Sequence, residues 1–443
     1  MFLTLKNAWS EMLRTFRNAW KVEELRKKLL FTLLIIVLYR IGAAVHVPFT
    51  DFEAIQANLD MSGGNIFTYL NILSGQAFSQ ATLFALGVSP YITASIVIQL
   101  LTVAIPIFEK WQKSGESGQK KLTALTRIVT VALAFVTAWG YYMYMRSYSL
   151  LTEFGDSVFG GFVIVFCYAA GASLVMWLAE KINEHGIGNG ISMILFANIV
   201  ASGVSTVTSL VGFALTDAWY LVLTVAVMYG ALAMLTFVVW VTNSERRIPV
   251  QYAKRTVGNK MMGGQSTHLP IKLNMSGVMP IIFANSIVAL PGTFELIFSS
   301  KIKEGGFWDK FFEVTGYTSP LYAILFFVLI IAFSYFYIMI SFNPTEVANT
   351  LKKNGGTIRG IRAGEHTAAY IQKILNKITL IGAIFLGIVA VVPLLVNMIA
   401  GGIAIGSLAF GGSSLLIVVG VILETIREIE AQLSMRHHKG FID

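Results

Sequence analysis

The chain is organised by runs of about 20 apolar residues, the length that crosses a hydrocarbon core of roughly 30 Å. Residues 29–47, 218–242 and 320–342 are such runs. A soluble core has no use for this much continuous apolar surface, so lipid is the solvent that fits it. Composition agrees, with 55% of residues hydrophobic and 13% charged, against about 25% charged in a soluble globular chain. Hydropathy predicts ten spans. Five lie near 29–47, 81–105, 122–145, 159–179 and 189–210, and five near 218–242, 275–299, 320–342, 375–396 and 408–427. The fold class is an all-α polytopic membrane protein.

The connecting segments alternate in charge. Segments 1–28, 106–121, 243–274 and 343–377 carry most of the Lys and Arg, whereas 48–80, 211–217 and 397–407 carry none. Of the 33 Lys and Arg, only Arg40, Arg146, Lys301, Lys303 and Lys310 fall toward the other side. The positive-inside rule then places both termini in the cytoplasm. Within 1–28, Leu5, Trp9, Met12, Phe16 and Trp20 recur at steps of three or four, which predicts an amphipathic helix along the membrane surface rather than a cleaved signal peptide. The single cysteine, Cys167, lies inside an apolar span and reads as a small packing residue, and one cysteine provides no internal disulfide and no multi-cysteine metal site.

Five spans per half is an odd number, so two related halves must insert with opposite orientations. A short repeat supports this. Gly87-Val88-Ser89-Pro90-Tyr91-Ile92-Thr93-Ala94 in the second span and Gly277-Val278-Met279-Pro280-Ile281-Ile282-Phe283-Ala284 in the seventh both read G-V-x-P-x-I-x-A. Each proline removes a backbone donor and crowds the preceding turn, so each helix is predicted to bend or start there. Paired interruptions at matching places in two halves point to the functional site of an inverted-repeat membrane protein; ordinary kinks in packed helices are the plainer alternative. Before the second span, residues 63–75 are apolar, bounded by glycines and too short to cross. Such a piece is re-entrant or interfacial, either a movable stopper or a loop tucked onto the surface.

Mid-span positions lack Asp and Glu, and Lys377 lies close to the start of span nine. Arg40, near the outer end of the first span, is placed to snorkel. Ion-coupled transporters keep intramembrane ionisable groups, so that class is disfavoured. The six histidines lie in loops or at span ends and no P-loop is present, which leaves no catalytic set at membrane depth and no nucleotide site. The chain is therefore read as a non-enzyme with neither metal nor cofactor. The two long basic segments either fix orientation only or dock an anionic partner.

Several blocks together resemble the SecY/Sec61-alpha family, in its bacterial branch. They are Gly115-Glu116-Ser117-Gly118, Gly186-Ile187-Gly188-Asn189-Gly190-Ile191-Ser192, Tyr252-Ala253-Lys254-Arg255, Gln265-Ser266-Thr267-His268-Leu269-Pro270, Phe342-Asn343-Pro344 and Phe410-Gly411-Gly412-Ser413-Ser414-Leu415-Leu416-Ile417. The resemblance implies a clamshell of two five-helix halves, 29–210 and 211–427, around a central pore, flanked by the 1–28 segment and a 428–443 tail. It implies a pore ring of Val88, Ile92, Leu195, Ile282 and Ile417, of which Val88 and Leu195 depart from the commonest isoleucine. It makes 63–75 a plug, with Gly64, Ile66, Phe67, Leu70, Ile72 and Leu73 as its sealing residues. Spans two, three, seven and eight become a lateral gate carrying the polar residues Gln99, Asn189 and Asn285. The basic loops 243–274 and 343–377 become docking surfaces for the SecA motor ATPase and the ribosome through Lys254, Arg255, Lys260 and Arg362. Arg362-Ala363-Gly364 replaces the family's usual Arg-Pro-Gly, which is expected to loosen that turn. The implied function is a protein-conducting channel of the bacterial cytoplasmic membrane. It takes signal sequences and nascent polypeptides across the membrane or releases them sideways into the lipids, with SecE and SecG as companion subunits. A small-molecule transporter and a silent assembly scaffold are the competing readings.

Overall fold

The computed structural model describes residues 17–51, 55, 71, 74–215, 218–252, 255–257, 260–262, 266–292, 294, 306–316, 319–399 and 412–439. Helix α1 (Glu23–Gly42) is followed by α2 (Ser89–Ala104), α3 (Pro106–Lys113), α4 (Glu116–Ser147), α5 (Val158–His185), α6 (Gly190–Ala214) and α7 (Ala218–Thr242). Strands β1 (Glu245–Tyr252), β2 (Arg255–Val257), β3 (Lys260–Met262) and β4 (Ser266–Lys272) come next. The chain continues through α8 (Met279–Val288), α9 (Phe307–Thr315), α10 (Pro320–Ser341), α11 (Pro344–Lys353), β5 (Gly356–Ile358), α12 (Glu365–Ile399) and α13 (Gly412–Lys439). Among the described residues, six helices are long and apolar enough to cross a membrane, or seven with the α2–α3 pair as one span.

The predicted spans at 81–105 and 275–299 are helical over less of their length than hydropathy suggests. Residues 81–88 are turns, and helix begins only at Ser89. Pro90 occupies the first turn of α2 and Pro280 the first turn of α8, where a missing N–H leaves no hydrogen bond unmade. The proline thus starts each helix instead of kinking it. At the other end of α2, Pro106 holds Ile105 extended, and α3 leaves at 100° to α2.

The packing is pseudo-symmetric. Helix α2 packs on α4 as α8 packs on α10, and α4 packs on α5 as α10 packs on α12. The N-terminal helices meet the C-terminal ones along two seams, α2 against α8 and α6 against α13. One apolar core runs through both seams, from Ile92 and Leu195 to Ile282, Phe326 and Ile417. Many large side chains face outward instead. Leu33, Phe166, Trp240, Ile324 and Ile388 are all exposed, the outward apolar surface that a lipid-facing helix presents.

The membrane part is helical, as the fold class requires, but the basic loops hold strands that hydropathy does not register. β1 pairs antiparallel with β4 from Glu245 opposite Lys272 to Gln251 opposite Ser266, and β2 and β3 form a smaller hairpin at its tip. β5, from the other basic loop, adds to the far edge of β1 opposite Val250, Gln251 and Tyr252. Ile248, Val250, Ile271 and Ile358 bury one face of this sheet against Ile371, Leu375 and Ile378 of α12. The two loops are therefore one packed body.

Candidate functional site

The repeated segments adopt the same backbone. Gly87 has φ +53° and Gly277 φ +64°, the left-handed region that glycine enters without a Cβ penalty. Val88 follows at φ −92°, ψ −7° and Val278 at φ −93°, ψ −10°, each heading a helix with no side-chain cap. The G-V-x-P match is thus a structural repeat: a left-handed glycine turns the chain, a helix starts two residues on, and the proline sits in its first turn.

All five ring candidates lie in the shared core, and none is more than 5% exposed. Val88 and Ile92 come from α2 and its N-cap, Leu195 from α6, Ile282 from α8 and Ile417 from α13. The structure adds Val278, the repeat partner of Val88, buried in the same cluster. A Cβ on Gly420 of α13 would fall well inside contact distance of Val278 Cγ1, so α13 approaches the head of α8 through a glycine. The repeat alignment already paired Val278 with Val88 and was the signal for it. The plug candidates Gly64, Ile66, Phe67, Leu70, Ile72 and Leu73 lie outside the described residues.

The three polar gate candidates do different jobs. Asn285 of α8 is buried, and its Nδ2 has no hydrogen-bond partner. Gln99 of α2 is half-buried, and its backbone carbonyl accepts from Thr102 Oγ1 at 2.6 Å. Asn189 caps the start of α6: its Oδ1 accepts from the backbone N–H of Ile191 at 3.1 Å and of Ser192 at 3.4 Å. It lies at the joint between α5 and α6, next to the Gly188 contact with α13.

The backbone before α6 is heavily hydrogen-bonded, and one of its bonds, Gly188 to Glu428, crosses to α13. The Ile187 N–H donates to Thr32 Oγ1 of α1 at 3.0 Å, and the Gly188 N–H donates to Glu428 Oε2 of α13 at 2.8 Å. The Gly190 N–H donates to Asn183 Oδ1 at 2.7 Å. Gly188 needs its positive φ of +81°, and a Cβ on Gly190 would collide with the Ala179 carbonyl. The Gly186-to-Ser192 motif is therefore a fitted joint between α5, α6, α1 and α13. Among the described residues, no hydrogen bond of this kind joins α2 to α8.

Of the docking candidates, Arg362 is exposed in the turn before α12. Its carbonyl accepts from Thr367 Oγ1 at 2.8 Å, and the Gly364 carbonyl accepts from the Ala368 N–H at 3.0 Å. These two bonds brace the turn in which alanine stands at the proline position. Lys254 lies outside the described residues; Arg255 is in β2 and Lys260 in β3. Phe342-Asn343-Pro344 proves to be a helix start, Asn343 Oδ1 accepting from the Thr345 and Glu346 N–H groups. Lys272, at the end of β4, is held below the usual lysine range by burial, with Arg427 nearby adding repulsion. A cavity of about 430 Å³ lies there, lined by Lys272, Asn274, Val278, Tyr337, Glu424 and Arg427 among others.

A family profile, SecY, matches residues 82–426. The chain belongs to the SecY family. A family member from Streptomyces coelicolor, the protein translocase subunit SecY, is 44% identical over 97% of this chain and all of its own length. A solved protein-conducting channel superposes with a TM-score of 0.65 at 19% identity, covering 92% of each chain. A second structure, of a SecY protein described by a plug domain that stabilises the closed state, gives a TM-score of 0.62 at 20% identity, again over 92% of each chain. The canine Sec61 of a ribosome–channel complex gives 0.61 at 18%, with the same coverage. SecY-family membership is thus shared by sequence and fold along almost the whole chain.

Proposed function

We propose that this multi-pass membrane protein is the channel-forming subunit of a bacterial Sec translocase. It passes unfolded secretory polypeptides across the cytoplasmic membrane and releases transmembrane segments sideways into lipid. The observation that carries the reading is that Val88, Ile92, Leu195, Ile282 and Ile417, contributed by α2, α6, α8 and α13, are all buried in one apolar cluster. Aliphatic side chains yield around an extended chain of any sequence, and an apolar constriction excludes ions by dewetting. Carboxylates or carbonyls at the same place would bind ions and let them leak.

The α2/α8 seam acts as the lateral gate. Its helices meet through apolar side chains, whereas a backbone-to-carboxylate hydrogen bond, from the Gly188 N–H to Glu428 Oε2, ties α13 to the start of α6. The halves part along the α2/α8 seam and hinge at the other. Partitioning decides what leaves: a central Leu or Ile favours the bilayer by roughly 0.3–0.6 kcal/mol, and a central Asp or Lys opposes it by about 2.5–3.5 kcal/mol. Both termini and the sheet-bearing basic loops face the cytoplasm, as their charge requires. There Arg362, Arg255, Lys254 and Lys260 meet the motor ATPase SecA or the phosphates of ribosomal RNA, while SecE and SecG complete the membrane complex. The ribosome-bound Sec61 structure shares this fold and supports a ribosome contact.

Ion conductance of the full chain, reconstituted with SecE in planar bilayers, tests the reading. The intact channel is expected to be silent and a deletion of residues 63–74 to conduct. If neither conducts, even with a translocating substrate engaged, the chain is a scaffold and not a channel.

A further inference from the structure

Arg40 is a charged residue in an apolar helix, and such residues are retained only with a partner or a task. Instead of snorkelling outward, its guanidinium turns into the protein, and Nη1 donates a long hydrogen bond of 3.4 Å to the Gly75 carbonyl. Gly75 stands at φ +68°, and a Cβ there would lie 2.6 Å from Arg40 Nη1, 2.8 Å from Asn198 Oδ1 and 3.1 Å from Asn198 Cα. The fit leaves room for glycine alone. On the far side, fully buried Asn198 of α6 donates from Nδ2 to the hydroxyl of fully buried Tyr39 at 2.9 Å. Tyr39 in turn stacks on Phe84, ring centroids 5.3 Å apart.

Gly75 and Phe84 belong to one irregular strap, residues 74–88, which runs from the end of the 63–75 segment directly into the Val88 turn. Polar contacts fasten the strap along its length. The Tyr141 hydroxyl donates to the Phe78 carbonyl at 2.7 Å. The Leu83 N–H donates to the Val45 carbonyl at 2.8 Å, and the Val47 N–H to the Ala81 carbonyl at 3.0 Å. Arg40 and Asn198 grip its first residues, and the ring position Val88 is its last.

We propose that Tyr39, Arg40 and Asn198 are positioning residues that lock the strap at Gly75 and thereby hold the idle channel sealed, an inference that rests on the plugged-channel reading above. α1 supplies Tyr39 and Arg40, and α6 supplies Asn198, so the lock ties the strap to two helices at once. Movement of α1 against α6 would slacken the strap and shift Val88 with it. Removing the cationic donor leaves the part-buried Gly75 carbonyl without this partner, and the loss of such a bond shifts the closed–open balance by roughly tenfold.

The test is ion conductance of the reconstituted complex, comparing wild type with Arg40→Gln, Arg40→Lys, Gly75→Ala, deletion of 63–74, and that deletion combined with Arg40→Gln. Expected results are a leak about tenfold above wild type for Arg40→Gln and Gly75→Ala, and near-wild-type silence for Arg40→Lys, which keeps a cationic donor. Arg40→Gln is expected to add nothing to the deletion, which separates a lock from a general weakening of the fold. If the deletion conducts while both Arg40→Gln and Gly75→Ala stay silent, the lock is refuted and the plugged-channel reading survives. If the deletion itself is silent, the plugged-channel reading fails first. Should Arg40→Gln not assemble, Gly75→Ala tests the same contact from the strap side.

Discussion

Gly420→Ala is the sharpest test of how α13 is fitted to the gate helix α8. The new methyl would land far inside contact distance of Val278 Cγ1, with Val278 Cβ at 3.4 Å and Cγ2 at 3.6 Å. Carbon atoms rest at about 3.5–4.0 Å, so one methyl of Val278 must move by more than an ångström. Val278 is buried and β-branched, so its rotamer is restricted. The shift must therefore come from α13 or from the head of α8. Overpacking of this kind costs about 1–3 kcal/mol. Val278→Ala alone removes two buried methyls, worth roughly 0.8 kcal/mol each. In the double variant the Gly420→Ala methyl enters the space those methyls leave, so the two costs should not add. The coupling expected is about 1–3 kcal/mol in favour of the pair. Thermal unfolding of the four proteins in detergent, followed by intrinsic tryptophan fluorescence, reads this cycle. Basal conductance reads its consequence for the closed pore. Purely additive melting shifts would show that the α8–α13 approach is loose, and the fitted-seam argument would fail.

Asn189→Ala should cost about 0.5–2 kcal/mol of stability through loss of the α6 cap, with Asn189→Asp close to wild type. A large change in signal-sequence stringency at unchanged stability would return Asn189 to the gate. Asn285→Leu removes a buried unpaired amide, a group whose burial costs about 1–3 kcal/mol; the closed seam should tighten and weak signal sequences be exported less, and Gln99→Leu should act in the same direction more weakly. Unchanged stringency in both variants would remove polarity from the gate's design. Arg362→Glu should slow motor-driven export with no effect on melting, because the side chain is exposed and the turn is held by backbone and Thr367 contacts; export at the wild-type rate would sink the docking assignment.

The membrane fold and the repeat were legible because both rest on backbone rules. A 20-residue apolar run has few other uses, and glycine followed three residues later by proline reads as a turn and a helix start in either half. Less of the site could be read. Hydropathy cannot tell a helix from an apolar turn, so 81–88 was merged into a span. Nor does it see strands in a polar loop, and the β1–β4–β5 sheet was missed for that reason. Asn189 and Asn285 look alike as isolated polar residues in apolar surroundings. Only geometry separates a cap, whose amide oxygen accepts two backbone N–H groups, from a buried amide whose nitrogen has no partner. Depth in the bilayer says nothing about which way a long side chain turns, so the inward turn of Arg40 is visible only in the structure.

The difference between the two seams bears on how a pseudo-symmetric molecule opens on one side only. Glu428 of α13, accepting from the Gly188 N–H, ties side chain to backbone across the α6/α13 seam. Parting that seam would strip the Gly188 N–H of its carboxylate partner, and a donor left unpaired is costly. The α2/α8 seam presents no such bonds among the described residues. In lipid, apolar side chains separate at little cost, because acyl chains replace the contacts they lose. An entering apolar segment replaces those contacts equally well. On the proposed reading, the seam that opens is the one whose contacts its cargo can imitate, and the hinge is the one whose contacts it cannot. Exchanging the two properties tests the argument: Glu428→Leu should weaken the hinge and raise basal leak, whereas a cysteine pair cross-linked across α2 and α8 should block lateral release. If Glu428→Leu left leak and stringency at wild-type levels, hydrogen bonding would not be what distinguishes the two sides.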